Sequence, residues 1–134
     1  MSRSQALLAG RLIAAGRVLF GIALVAKPEA TTRRWLGGSA ATAGTQVAVR
    51  ALGIRDLMLG AMTLHTVAHP QIGPRWVATC AINDAVDLVA TLKARDELPS
   101  SGVAGTVALA GGTVVASVAI AGVLKRTAPP AEDA

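Results

Sequence analysis

From Pro99 to Leu124 the chain carries no charged residue, and Lys125 and Arg126 then close the stretch. Its core, GVAGTVALAGGTVVASVAIAGVL, is long enough as a helix to cross roughly 30 Å of hydrocarbon. A soluble surface helix keeps a polar face for water, and this segment has none. Its glycines would weaken a soluble helix but are ordinary where helices pack closely in a bilayer. A chain built around such a segment has to be read for further spans.

Three weaker spans precede it. The first runs from about residue 7 to 26 and stops at Lys27-Pro28. The second runs from about 45 to 67, ending before His69-Pro70. The third runs from about 74, with Pro74 suited to a first helical turn, to 92. The fourth covers 101–124. Arg11 and Arg17 interrupt the apolar run of a cleavable signal, so residues 8–26 read as a retained span. The segment KPEATTRRWLGG has a Pro-Glu start and a Gly-Gly stop, which predicts a short interfacial helix between the first two spans. Trp35 and Trp76 then mark the two interfaces, and TAPPAEDA reads as a disordered tail over 127–134.

The expected fold is therefore all-α: a single domain over residues 1–126, an integral membrane bundle of four helices. Composition agrees. Of 134 residues 52% are hydrophobic and 16% charged, against roughly 25% charged in an average soluble domain. The net charge of +5 suits lipid headgroups. No basic run with interleaved aromatics supports nucleic-acid binding. The expected location is the plasma (cytoplasmic) membrane of a bacterium. Basic residues do not orient the chain there: Arg3, Arg75, Lys125 and Arg126 fall on the terminal side, and Lys27, Arg33, Arg34, Lys93 and Arg95 on the other.

The informative residues are the charges inside the spans: Arg17, Arg55, Asp56, Asp84 and Asp87. Each costs about 2.5–3.5 kcal/mol at a helix centre. The first three helices are centred near Arg17, Asp56 and Asp84, so opposite charges fall at one depth. At about 100° per residue, Cys80, Asn83, Asp84, Asp87 and Thr91 form one polar stripe. Gln46, Gly53, Asp56, Gly60 and Thr63 share a face of the second helix, and Gly10, Ala14, Arg17 and Gly21 a face of the first. Small residues beside each charge let backbones approach. Arg17 and Arg55 are expected to pair with Asp56, Asp84 and Asp87. Arg55 points about 100° away from Asp56, so those two are not expected to aim at one place. Arg11 and Arg50 are read as snorkelling to the headgroups. The cluster serves either helix register and assembly or function directly.

Other signals are weaker. His65 and His69 are four apart but lack a third ligand at their depth, so no metal is expected. Cys80 allows no internal disulfide and has no histidine at its depth to act as base. No cofactor is expected. RLIAAGRVLFG and RALGIRDLMLG align without gaps, with Arg17 opposite Asp56, as in the repeats of some transporters; with so few matches in a biased alphabet, chance is the better explanation.

At VRALGIRDLMLG and INDAVDLVATL the sequence resembles a functionally uncharacterised group of small four-helix bacterial membrane proteins, similar to the DoxX-like proteins. The resemblance covers roughly residues 8–92 and is most specific at Leu52–Gly60 and at Asp84 and Asp87. It implies the four-helix fold and carries no activity. Three functions stay open: a non-catalytic subunit or assembly partner of a larger membrane complex, an oligomeric small transporter using the Arg/Asp cluster, and an intramembrane enzyme acting on a lipid or isoprenoid-like substrate. The expected partners are membrane lipids and other membrane subunits or a second copy of the chain. Small four-helix multidrug exporters place a carboxylate in their first helix, where this chain has Arg17.

Overall fold

The computed structural model describes residues 1–129, and every regular element in them is helical. Helix α1 spans Arg3–Ala26, α2 Pro28–Leu36, α3 Ala43–Thr66, α4 Gly73–Lys93 and α5 Ser100–Arg126. Short 3-10 turns, Gly37–Ala41 and Arg95–Glu97, join α2 to α3 and α4 to α5. Each long helix extends one to four residues beyond one or both limits expected from sequence. The expected tail lies partly outside the described residues. Its first residue, Thr127, closes α5 by donating from its hydroxyl to the Val123 carbonyl.

Local chemistry sets the helix ends. Ser2 and Gln5 form a reciprocal capping box at the start of α1. The Thr42 hydroxyl accepts from the Thr45 amide at the start of α3. Pro28 opens α2, with Glu29 in its first turn and Arg33 and Arg34 in its last, as the helix dipole favours. Gly37, at φ +62°, ends α2 in a conformation open to glycine. Between α3 and α4, the His69 Nδ1 accepts from the amides of Gln71 and Ile72, so this histidine closes a turn.

The four long helices form a ring in chain order. Helices α1 and α4 each neighbour α3 and α5 and face one another across the diagonal. The antiparallel pair α1/α3 is the most intimate. A Cβ on Gly53 would lie 2.8 Å from the Gly21 carbonyl oxygen, and one on Gly60 would lie 2.7 Å from that of Ala14. That register sets Arg17 beside Asp56. At one end, Arg3 of α1 donates to the Leu124 and Thr127 carbonyls, each at 3.2 Å. At the other end, Gly102 of α5 packs against the backbone of Trp35.

Apolar side chains point outward as well as inward. Leu8, Leu12 and Leu19 of α1, Ile82 and Val86 of α4, and Val115 and Val118 of α5 are all more than half exposed. Two helices, α1 and α5, are long and apolar enough to cross a membrane. In α5 the buried residues are only Gly102, Ser117, Ile120 and Leu124.

The close α1/α3 approach makes a direct prediction. Gly53→Ala lowers stability by about 1–3 kcal/mol through overpacking. Gly112→Ala, where a Cβ meets nothing within 4 Å, leaves it unchanged or slightly raised. Denaturant unfolding of the two purified variants checks the contrast, and equal losses would contradict the packing described.

Candidate functional site

Halfway along the bundle the five charges singled out in the sequence converge. Arg17 reaches inward from α1 and donates from Nη1 to Asp56 Oδ1 on α3 at 3.0 Å, and from Nη2 to Asp84 Oδ1 on α4 at 2.5 Å. Its side chain is 8% exposed, as are those of both partners. Arg55 on α3 forks onto Asp87 on α4, Nη1 to Oδ1 at 3.1 Å and Nη2 to Oδ2 at 2.7 Å. A planar fork is what lets one arginine address two carboxylate oxygens at once.

Arg55 Nη2 also lies 3.3 Å from Asp56 Oδ1, which corrects the sequence-based expectation that adjacent residues 100° apart cannot meet. The Cα–Cβ directions do diverge, but the arginine side chain is long enough to fold back onto its neighbour. The cluster is thus one network across three helices. Two guanidiniums, which stay protonated in proteins, face three carboxylates, so with all of them ionised the formal sum is one negative charge in excess. Three polar atoms of the network are buried with no hydrogen-bond partner: Asp84 Oδ2, on a residue 6% exposed, and the Nε of Arg17 and of Arg55.

The remaining polar stripe of α4 divides. Cys80 is buried, with its sulfur 3.4 Å from the Thr63 hydroxyl. Asn83 leaves its Nδ2 buried and unpartnered, and it takes no part in the ion network. Arg50 donates back along α3 to the Gln46 carbonyl at 3.4 Å, its head directed toward the end of the helix.

Beside the network is a cavity of about 170 Å³. Arg17, Asp56, Asp84 and Asp87 supply its polar lining, and Ile13, Phe20, Leu52 and Leu109 its apolar lining. Trp35 of α2 closes one end, and its indole Nε1 is buried without a partner. Exposed Gly16, Phe20 and Leu109 rim the cavity at the α1/α5 seam, so it opens onto the apolar outer face. A Cβ on Gly16 would meet nothing within 4 Å.

Three parts of this site escape sequence reasoning. The pattern around Trp35 suggests a headgroup anchor, whereas the α2–α5 contact at Gly102 turns it over the cavity. Phe20 carries no signal of its own. The α5 wall includes Thr106 and Thr113, seven residues apart and so on one helical face, a weak polar stripe that is the one available clue.

The specific contacts sharpen a charge-reversal test. Asp84→Arg sets two guanidiniums against each other and lowers the yield of folded protein. Adding Arg17→Asp partly restores it, while adding Arg55→Asp does not, because Arg55 makes no ion pair with Asp84. Monodisperse yield in size-exclusion chromatography reads the outcome; rescue by Arg55→Asp alone would break the assignment. A scan against protein-family models finds no match to this chain, and searches of curated proteins and of solved structures return none.

Proposed function

We propose that this chain is a multi-pass protein of the bacterial cytoplasmic membrane, a four-helix bundle that binds a small molecule entering from the bilayer. The observation that carries the reading is the cavity. It joins an incompletely paired ion network, buried at Arg17, Asp56 and Asp84 and partly exposed at Arg55 and Asp87, to an apolar rim at the α1/α5 seam. A purely structural ion cluster has no use for an adjoining space of this size, since interiors are otherwise close-packed.

The membrane setting is supported by the distribution of apolar surface. Two helices are long and apolar enough to span. On α3 and α4 the outward positions are again apolar, Val47, Ile54 and Met58 on one, Ile82, Val86 and Val89 on the other. The charges midway along them, Arg55, Asp56, Asp84 and Asp87, turn instead into the ion network. Helix α5 is the least polar helix yet buries few residues, the reverse of what water would select. The helix ends agree: Arg33 and Arg34 in the last turn of α2 and Lys125 and Arg126 in the last turn of α5 are exposed at the ends of the bundle.

A site reached from the bilayer fits a small transporter or lipid-phase binding protein. A subunit role is a second reading, and one observation favours it. Gly105, Ala108, Gly112 and Ala119 are exposed on α5, with half-buried Ala116 between them, the small-residue surface on which membrane helices associate. The two readings are compatible if the bundle works as an oligomer.

A lipid-soluble aryl diazirine tests the binding site. Photolysis in membranes is expected to label Trp35 and Asp87, which face the cavity, in addition to the outward surface. Gly16→Leu, which fills the mouth, abolishes labelling at those two residues and leaves Leu12 and Val115 labelled. Labelling confined to outward residues in the native protein would remove the binding-site reading. Carbonate extraction of the chain from membranes would remove the integral-membrane reading.

A further inference from the structure

The chemistry of the cavity specifies more than a hydrophobic ligand. We infer that it receives a small organic monocation: a protonated amine on an aryl or short alkyl body. This inference rests on the binding-site reading above and deepens it.

Three observations converge on a cation. The first is charge: three carboxylates share two guanidiniums, and one positive charge brings the formal sum to zero. The second is an unpaired acceptor on a residue of the cavity wall. Asp84 is nine-tenths buried, lines the cavity, and holds Oδ2 without a donor. Its other oxygen is already engaged by Arg17. A buried, unpartnered carboxylate oxygen is costly, and an ammonium N–H offers the missing charge-assisted hydrogen bond.

The third observation is aromatic. The chain has only three aromatic residues, Phe20, Trp35 and Trp76. Two of them, Phe20 and Trp35, line this one cavity. Aromatic faces attract ammonium groups, and tryptophan does so most strongly, more so when water is excluded. An anionic ligand would meet three carboxylates and a single guanidinium in the cavity wall, although the Nε groups of Arg17 and Arg55 are themselves without partners. A neutral apolar ligand would fill the space and leave Asp84 Oδ2 bare.

Size and depth narrow the class. An engineered protein cavity of about 150 Å³ accommodates benzene, so about 170 Å³ holds one ring with a short substituent. Arg17 lies nine residues before the end of α1, roughly 13 Å along the axis at 1.5 Å per residue. A lipid amine at that depth would drag its phosphate into hydrocarbon, so a free amine is the occupant.

The test uses the full chain in nanodiscs of phosphatidylcholine and phosphatidylglycerol, which contain no primary amine, titrated calorimetrically against empty discs. The probes are 2-phenylethylamine, protonated at neutral pH, and 2-phenylethanol, equal in heavy atoms and uncharged. The amine is expected to bind at least about tenfold more tightly. Asp84→Asn removes that preference. Gly16→Leu, which leaves every charge in place, abolishes binding of both probes with an unchanged unfolding midpoint, so the test does not depend on the carboxylate variant folding. Equal affinity for the two probes, lost in Gly16→Leu, would overturn the cation assignment and leave the binding site standing. No binding of either probe would overturn both. Displacement of the amine by added phosphatidylethanolamine would overturn the free-amine assignment in favour of a lipid headgroup.

Discussion

The guanidinium of Arg17 bridges two carboxylates that belong to different helices, 3.0 Å from Asp56 on α3 and 2.5 Å from Asp84 on α4. Helices α1 and α4 lie diagonally across the bundle, so this side chain is the brace through the middle of the ring. A lysine would place a single point charge there; the arginine fork addresses both acids with defined geometry. Removing the brace leaves a surplus of buried negative charge, and other features of the centre depend on its being in place.

Two consequences follow in opposite directions. Toward α3, the brace requires the backbones to approach, and Gly21, Gly53 and Gly60 allow it at distances no Cβ would tolerate. Toward α5, which contributes no charge to the network, no ion pair draws the helix in at this level; Arg3 and the apolar cluster around Ile120 and Leu124 hold it at the end of the bundle. The α1/α5 seam stays open at Gly16, and the cavity forms beside the network. The same residue that closes one side of the bundle therefore leaves polar atoms facing a space on the other. The outward apolar surface of the long helices isolates this charge from water in the membrane setting we propose, which raises the worth of any compensating cation.

Much of the centre is legible in the sequence, for a simple reason. Helical rise and rotation are regular, so counting residues alone places Arg17, Asp56 and Asp84 at one depth and on inward faces. Small residues one or two turns from each charge identify the close faces in the same way. What counting cannot supply is the reach of flexible side chains and the spacing between helices. Arg55 folding back to Asp56 depends on the first. The cavity depends on the second, since it arises from small side chains at Gly16 and Ala110 on a seam with no ion pair. That Trp35 lines the cavity is not legible either, because a short helix at the end of the bundle has two faces, and only its packing against Gly102 decides which one carries the ring.

The most direct measurement compares Arg17→Met with Asp84→Asn by equilibrium unfolding in one detergent. The centre carries one carboxylate more than its guanidiniums neutralise. Arg17→Met enlarges that excess and is expected to cost about 3–5 kcal/mol. Asp84→Asn cancels it, and the amide oxygen still accepts from Arg17, so the change is expected to stay within about 1 kcal/mol. A loss for Asp84→Asn equal to or greater than that for Arg17→Met would mean that the carboxylates are not in excess and that Asp84, not Arg17, is the brace.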